Sequence, residues 1–446
     1  MSREVATKLV DFVLNTSYED IPSDVVAMTK ALTLKTVAGM IAGSATPAGQ
    51  KMAKLILAHQ STPDAGVVGS GFKTSLWESV FLNSFFSHAH ELEDLRFIEG
   101  PSWDITVVPL LLSLAEAKGL SGRTLTEALV VGLEAHARTC MFSPHHLGIT
   151  LFPGAVGPAL AAARALGLDE KQTASAIGLA LSTSPLSFVN FGTDAHYLES
   201  ALQAFQGIVA AEAAQQGMTG NPDLAQYLSS VIGEDRVDPP KMTEGLGQRW
   251  MIREFSIKKY PCCWILHRHI DCVVELFETH GLSYEDVDVI EDHITPYDEF
   301  CDRPLPKTIG DLQFSFQHVL AAAMLGRDVR LEDMTIEAIN APRFQEARRR
   351  VKLIQSPQLD QQTGVAPAQV TIRTKNGAEF SAVRTYPVGS HDSPLTTAEI
   401  VALYNKFTQG VLKDHHIQET SQAILSLELL PDVRHLMDTL VFGTKG

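Results

Sequence analysis

The chain has 446 residues, of which 45% are hydrophobic and 20% charged, and its formal net charge is −16. A chain of this length exceeds what one hydrophobic core usually supports, so we expect two domains. The acidic balance argues against nucleic acid and against anionic membrane surfaces as partners. It leaves room for a small anionic ligand, because a local basic pocket can override the overall field.

The cysteines and the N-terminus indicate a reducing compartment. There are five cysteines, an odd number, and the adjacent pair Cys262 and Cys263 is unsuited to bridge with itself. The first residues lack a signal-peptide pattern, since Asp11 interrupts the first apolar run. No run of 18 apolar residues predicts a membrane span. We therefore expect a cytoplasmic protein without a membrane partner.

Apolar residues recur at helical spacing through the first half of the chain. Predicted helices cover residues 3–16, 23–43, 50–59, 76–88, 105–118, 122–143, 155–168, 170–181 and 198–216. The helix at 155–168 consists mostly of small residues, which let helices approach closely, so we expect it to be central and buried. No strand pattern occurs before about residue 284, and this half is expected to be all-helical.

The pattern changes after Gly281. Polar and apolar residues alternate at 286–294, 369–374 and 380–384, and Asn376-Gly377 between the last two runs is a strong hairpin signal. A further strand is predicted at 351–354 and helices at 311–325 and 331–338. Helices then return at 396–412, 415–428 and 431–440.

These patterns predict a mainly α protein with a smaller α+β domain. Residues 1–265 form the first segment of a large all-helical domain. Residues 266–392 form an inserted α+β lid domain, and residues 393–446 return to the helical domain.

A cluster of polar residues follows the predicted helix 76–88. His88, His90, Glu91, Glu93 and Asp94 put two histidines and three carboxylates within seven residues. The cluster fits one wall of an active site, a capped helix end with solvated carboxylates, or a metal site. It lacks the HExxH and CxxC spacings of common zinc sites, so no metal is expected.

Other candidate residues are spread along the chain. His145-His146 lies shortly before the small-residue helix, and His196 follows Gly192-Thr193 at the start of a helix, where carboxylate ligands are favoured. Lys258 would suit an anionic substrate, and His267 follows it. His318 has apolar neighbours, which are typical of a core histidine.

Many short motifs occur in one order along most of the chain. They are Ile21-Pro22, Val68-Gly69, Asn83, His88, Val108-Pro109, Gly192-Thr193, Lys258 with Pro261, Gln313-Phe314-Ser315 and Pro394-Leu395-Thr396. Together they resemble the MmgE/PrpD family, which includes 2-methylcitrate dehydratase, cis-aconitate decarboxylase and iminodisuccinate epimerase. The resemblance implies a helical domain, an α+β lid, an active site between them and a homodimer. It also implies acid–base chemistry on a small polycarboxylate without a cofactor.

The chain departs from the family pattern at several positions. Where the family has H-x-x-D-F-D-D-T, this chain has His88 and then Glu91 and Leu95 in place of the first aspartate and the threonine. The next His-Pro is Ser102-Trp103, and the later His-Pro is unmatched, with Gly148 in its place and His146 two residues away.

Two departures introduce histidines. The lysine after Gly-Thr is His196, and the tyrosine after Gln-Phe-Ser is His318, whereas Lys258 is kept. Histidine exchanges protons readily near neutral pH, since its reference pKa is about 6.5. Epimerisation needs two groups that can hold a proton on opposite faces of one carbon.

We therefore expect an epimerase that removes and returns a proton at the carbon alpha to a carboxylate, as in iminodisuccinate. The expected catalytic residues are His196, Lys258, His318 and His146. The expected binding or orienting residues are His88, Glu91, Asp94 and His267. The alternatives are a hydro-lyase like 2-methylcitrate dehydratase, a lyase like cis-aconitate decarboxylase, and a non-catalytic binding protein on the same fold.

Overall fold

The structure is a computed structural model that describes residues 2–96, 102–182, 185–359 and 366–445. Its first half is built mainly from helices, as the apolar spacing predicts. These are α1 Ser2–Asn15, α2 Ser23–Ser44, α3 Pro47–Leu57, α4 Leu76–His88, α5 Asp104–Lys118, α6 Gly122–Thr139, α7 Val156–Leu166, α8 Glu170–Ala180, α9 Asp194–Gln215 and α10 Leu224–Ile232.

Short strands also occur in this half, which corrects the all-helical expectation. They are β1 Ala65–Val67, β2 Phe72–Thr74, β3 Leu95–Arg96, β4 Ile149–Thr150, β5 Leu186–Ser187 and β6 Phe255–Ser256. They pair antiparallel as β1 with β2, β3 with β6, and β4 with β5. Ladders of two or three residues are too short to leave an alternating pattern in the sequence.

The second half contains the larger sheet. Its elements are α11 Trp264–His280, β7 Val287–Ile294, α12 Ile309–Gln313, α13 Phe316–Gly326, α14 Ile336–Asn340, α15 Pro342–Arg349, β8 Val351–Gln355, β9 Ala368–Thr374 and β10 Glu379–Arg384. The strand order is β10-β9-β7-β8, with β8 parallel to β7 and the other pairs antiparallel. Gly377 has a φ of 87° in the turn between β9 and β10, so the Asn376-Gly377 hairpin is confirmed.

The last helices are α16 Thr397–Thr408, α17 Asp414–Leu425 and α18 Arg434–Phe442. Their buried side chains, among them Tyr404, Phe407 and Leu440, belong to the same apolar core as α1 to α10. A second core lies between α11, α13 and the sheet. The fold class, mainly α with a smaller α+β part, is confirmed; the domain limits at 265 and 392 stay a prediction.

Close helix contacts explain the small residues of the first core. A side chain at Gly43 of α2 would put its Cβ 1.9 Å from the carbonyl oxygen of Phe86 in α4, so only glycine permits this approach. The small-residue helix α7 is buried on most of its surface, as predicted. Among the described residues α2 alone is long and apolar enough to cross a membrane, but most of it is buried inside the protein.

Candidate active site

A cavity of about 380 Å³ lies where the two cores meet. His88 and His196 line it from the helical core, and Cys263 and Phe314 line it from the second core. Its volume falls within the range of roughly 300 to 1,000 Å³ that is typical of small-molecule sites.

A strained turn after α4 presents the first carboxylates to this cavity. The helix ends at His88, whose carbonyl accepts a hydrogen bond from the backbone N–H of Glu91. Glu91 has a φ of 53°, a left-handed conformation that costs a non-glycine residue roughly 1–2 kcal/mol. Strain of this kind persists only where the surroundings fix it, and it is common at functional sites.

The β3–β6 ladder brings a distant lysine to this turn. Leu95 pairs with Ser256, so the chain after β6 runs beside the acidic turn. The backbone N–H of Lys258 donates to Asp94 Oδ1 at 2.9 Å. Its ammonium donates to Glu93 Oε1 at 2.5 Å and to Glu91 Oε2 at 3.4 Å, in a fully buried position.

Two carboxyl groups thus share one buried ammonium. Burial alone would lower the pKa of Lys258, but the charges of Glu93 and Glu91 outweigh it and raise that pKa. Burial, followed by the charge of Glu93, raises the pKa of Glu91 well above its ordinary range. Since Glu91 makes the longer bond to Lys258, we assign the shared proton of this site to Glu91.

Two histidines lie against Glu91. The rings of His88 and His196 have centroids 4.2 Å apart. Glu91 Oε1 lies 3.4 Å from His196 Nε2 and 3.9 Å from His88 Nε2. Burial, together with the charges of His196 and Lys258, lowers the pKa of His88 well below its ordinary value, so His88 is neutral.

Each histidine has a polar group of α9 near its Nδ1 atom, but only His88 makes a hydrogen bond with it. His88 Nδ1 lies 3.2 Å from Ser200 Oγ. His196 Nδ1 lies 3.8 Å from Glu199 Oε2, and Glu199 is itself held by the N–H of Ser187 and the amide of Asn190. Both partners lie on or beside α9, which positions this side of the cavity.

A second buried lysine supports the turn from behind. Lys35 of α2 donates to the carbonyl of Leu92 at 2.7 Å and lies 3.7 Å from Asp94 Oδ1. Burial raises the pKa of Asp94 to about 6, against the opposing effect of Lys35. The sequence carries one signal for this network, a lysine in the middle of the apolar helix α2. A buried charge of this kind requires a partner.

Comparison with protein families supplies the decisive observation. A family model for the MmgE/PrpD N-terminal domain matches residues 7–227, and a model for the MmgE/PrpD C-terminal domain matches residues 260–429. The chain belongs to the MmgE/PrpD family.

Three relatives align with almost the whole chain. A cis-aconitate decarboxylase-like protein oryM of Aspergillus oryzae is 24% identical over 97% of this chain and 96% of its own. Cis-aconitate decarboxylase of Aspergillus terreus is 23% identical over 98% of this chain and 96% of its own. The mouse enzyme of that name is 22% identical over 97% of this chain and 92% of its own.

Within this MmgE/PrpD chain the structure brings together four of the eight residues expected from the sequence. His88, Glu91, His196 and Lys258 all line the cavity. Asp94 lies behind them and holds the backbone of Lys258.

His267 is buried outside the cavity lining. Its Nε2 lies 3.3 Å from the carbonyl of Cys262, and its ring packs on Trp264 with centroids 4.9 Å apart. Burial lowers the pKa of His267 well below its ordinary value. This residue supports the segment that follows Lys258, and it does not reach the space where a ligand would bind.

Two expected proton carriers, His318 and His146, are not brought to the cavity. His318 is fully buried in the second core, where Nε2 donates to the carbonyl of Asp333 at 2.7 Å and Nδ1 accepts from Arg348 at 3.3 Å. Burial lowers the pKa of His318 to about 4. Both ring nitrogens are engaged, so the apolar setting of His318 is the better guide to its place than its position in the family motif.

His146 is exposed in its loop, and its neighbour His145 lines the cavity instead. From the sequence, His145 was only one of an adjacent candidate pair, of which His146 was the expected proton carrier. Cys263 and the pair of Arg268 and Asp298, which also line the cavity, were not expected there. Arg268 lies 3.5 Å from Asp298 Oδ1. The sequence does not show which of two adjacent loop histidines faces the cavity, because a loop has no regular inward and outward pattern.

Among the described residues, His88, Glu91 and His196 could hold a metal ion, since one ligand atom from each lies within 4.8 Å of the others. The surroundings do not favour a divalent cation there. Lys258 Nζ lies 3.4 Å from Glu91 Oε2, and a carboxyl that keeps its proton is a poor ligand. The donor set fits proton transfer better than metal binding.

Proposed function

We propose that this protein is an acid–base lyase that forms an enolate-like carbanion beside a substrate carboxylate and protonates it, with loss of carbon dioxide as the preferred reaction. The observation that carries this proposal is the placement of Glu91, a buried carboxyl that lies 3.4 Å from both His196 Nε2 and Lys258 Nζ and whose pKa burial raises well above its ordinary range. The names of the relatives support the carboxy-lyase form.

Each group has a defined part in the proposed step. Lys258 has three N–H donors, and Glu91 and Glu93 take two, which leaves one for a substrate carboxylate or the developing enolate. The bond to the departing carboxylate breaks, and its electron pair stays on the alpha carbon. Glu91 then gives its proton to that carbon, and a proton from solvent reaches Glu91 through His196 Nε2, 3.4 Å away.

A hydro-lyase would use the same groups, but the alpha carbon would lose a proton rather than gain one. Neutral His88 would accept the alpha proton, and the proton of Glu91 would go to the departing hydroxide. Both lyase reactions need a proton donor and a proton acceptor near the reacting carbon, and His88, Glu91 and His196 all lie close to one another on one wall of the cavity.

The epimerase expected from the sequence remains the second candidate, and one observation favours it. His145 also lines the cavity, and it comes from the segment before β4 rather than from α4 or α9, with its ring 6.1 Å from that of Phe188. Burial lowers the pKa of His145, so it is available as a base. With His196 it would provide proton carriers on two sides of a bound carbon.

One assay in heavy water separates these reactions. The substrates are cis-aconitate, 2-methylcitrate, one stereoisomer of iminodisuccinate, and unsaturated dicarboxylates with benzyl or alkyl substituents. We expect carbon dioxide release and one deuterium on the product carbon. An unsaturated product without carbon dioxide would indicate the hydro-lyase, and inversion with deuterium exchange would indicate the epimerase. The absence of all three would contradict an acid–base enzyme.

The substitution Glu91→Gln tests the proton donor. Glutamine keeps the shape and neutrality of the protonated carboxyl but has no acidic proton, so we expect kcat to fall by about 10²- to 10⁴-fold with an unchanged melting temperature. The control is Glu275→Gln, a half-exposed glutamate that pairs with Arg384 away from the cavity. A Glu91→Gln variant that keeps more than a tenth of the wild-type kcat would contradict this assignment.

A further inference from the structure

The cavity has two chemically different sides. One side carries the groups of the proposed reaction, which are His88, Glu91, Glu93, His196 and Lys258. The other side is largely aromatic. Its rings belong to Phe188, Phe191, Trp264, Tyr297, Phe300 and Phe314.

The aromatic side begins at the proton-transfer groups. The ring of Phe191 lies 4.6 Å from that of His196, 4.9 Å from that of Phe188 and 5.5 Å from that of Phe314. A group attached to a carbon that faces His196 would therefore lie directly on Phe191.

The same surface continues outward. Phe300 lies 6.1 Å from Phe191, and Tyr297 lies 6.0 Å from Phe300. Phe300 is 37% exposed and Tyr297 is 60% exposed. The rings thus form a continuous path from the reacting groups to the protein surface, long enough to contact an extended substituent rather than a single methyl group.

The charges of the lining limit the number of carboxylates that a ligand can bring. Of the described lining residues, Lys258 and Arg268 are the two with permanent positive charge, and both already face carboxylates, Lys258 those of Glu91 and Glu93, Arg268 that of Asp298. Lys258 has one N–H left for a ligand, and Arg268 has a buried Nε without a hydrogen-bond partner. The cavity suits one or two carboxylates, whereas a third would be buried without compensation.

We propose that the substrate is a mono- or dicarboxylate with an apolar arm, an aryl or alkyl group that lies along Phe191 and Phe300 while the reacting carbon faces Glu91. The orientation rests on the proposed function, since that function places the reacting carbon. The preference for an apolar arm rests on the lining alone and can be measured without turnover.

Binding calorimetry with three probes tests the preference. The probes are phenylsuccinate, succinate and the tricarboxylate cis-aconitate. We expect phenylsuccinate to bind about tenfold more tightly than succinate, because its ring gains aromatic contacts, and more tightly than cis-aconitate. Equal or tighter binding of cis-aconitate, or equal binding of the two succinates, would overturn the proposal.

The substitution Phe300→Ala locates the arm. Phe300 is partly exposed, so its loss leaves the core intact, and we expect phenylsuccinate binding to weaken about three- to tenfold with succinate binding unchanged. Leu305→Ala is the control, since Leu305 is 83% exposed and does not line the cavity. An equal loss for both ligands, or no loss for phenylsuccinate, would overturn the placement.

The two proposals fail separately. Glu91→Gln should lose turnover and keep the preference for phenylsuccinate. If the wild-type protein turns over a compact carboxylate through Glu91 but binds phenylsuccinate and succinate equally, only the apolar-arm proposal is contradicted. If it prefers phenylsuccinate but converts none of the substituted dicarboxylates, the apolar-arm proposal is supported and the proposed lyase activity is contradicted.

Discussion

The protonation of Glu91 and of His318 is set by burial and by the charged groups beside each side chain. Burial, and after it the charge of Glu93 beside the same ammonium, raises the pKa of Glu91 well above its ordinary range. His318 stays neutral because it is buried and its Nδ1 accepts from an arginine. Residues of ordinary type therefore take distinct roles according to their neighbours.

His318 provides a test of a purely structural role. The substitution His318→Leu leaves the carbonyl of Asp333 and an N–H of Arg348 without partners. Each orphaned buried group costs roughly 1–3 kcal/mol. We expect a lower free energy of unfolding at about pH 7 and an unchanged kcat/KM for the folded fraction, measured by denaturant titration and initial rates.

The stability difference between wild type and His318→Leu should also depend on pH. The pKa of His318 is about 4 in the folded protein, against 6.5 for an unperturbed histidine, so below pH 6.5 the unfolded wild type binds the proton first. Wild-type stability from this residue is complete above that value and falls as pH drops towards 4, by on the order of 3 kcal/mol. The difference between the two proteins should narrow over this window. A constant difference, or a loss of kcat/KM, would contradict the assignment.

The sequence predicted the residues of the site better than their geometry. The cluster from His88 to Asp94 is local, and Lys258 sits in a motif, so both could be named as candidates from the sequence. Whether His145 or His146 faces inward depends on loop packing, and the place of His318 depends on the second core. Tertiary contacts of this kind leave no periodic signal.

The segment that carries Lys258 is held between two other elements. The β3–β6 ladder holds one side, and on the other the backbone N–H of Ile257 donates to the carbonyl of Gly389 at 2.7 Å. Gly389 has a φ of 96°, and a Cβ there would lie 2.1 Å from the carbonyl oxygen of Ile257. The turn after β10 thus fixes the position of the segment that carries Lys258.

We predict that Gly389→Ala lowers both stability and activity. The added Cβ must push Ile257, and a displacement of about 1 Å at a catalytic group can cost on the order of 100-fold in rate; we expect kcat/KM to fall at least tenfold. Gly377→Ala is the matched control, with a φ of 87° and no atom within 4 Å of the added Cβ. It should carry a similar backbone cost, about 1 kcal/mol, without loss of activity. If the two variants affected activity equally, the turn at Gly389 would not be what positions the segment that carries Lys258.

Elements with many periodic residues were predictable, and short ones were not. The β9–β10 hairpin and α4 occupy almost the predicted residues, because alternation and helical spacing extend over several turns or pairs. The two-residue strand β3 and the helix α15 were missed. Pairing of β3 with β6 joins residues about 160 positions apart, which local propensity does not encode.

At the scale of the whole molecule, the two cores divide the chain in a discontinuous way. Residues of α16 to α18 belong to the core of α1 to α10, although the segment between them forms the second core. The C-terminal family model, in contrast, runs through α16 and α17 to residue 429. Packing and family boundaries therefore divide the chain differently, and the active-site cavity lies at the junction of the two cores.

Native-state hydrogen exchange of two variants can decide which division governs stability. Ile372→Ala removes a fully buried side chain from β9 in the second core, and Leu34→Ala removes one from α2 in the first. Each substitution should cost roughly 2–5 kcal/mol in the core where it acts.

If the packing of the two cores governs stability, Ile372→Ala accelerates exchange in α11, α13 and β7 to β10 and leaves α16 to α18 as protected as α2. Leu34→Ala should accelerate α16 to α18 together with α2, since they share one core. Faster exchange of α16 to α18 in Ile372→Ala alone would instead assign these helices energetically to the second core, and the helical domain would then end before residue 393.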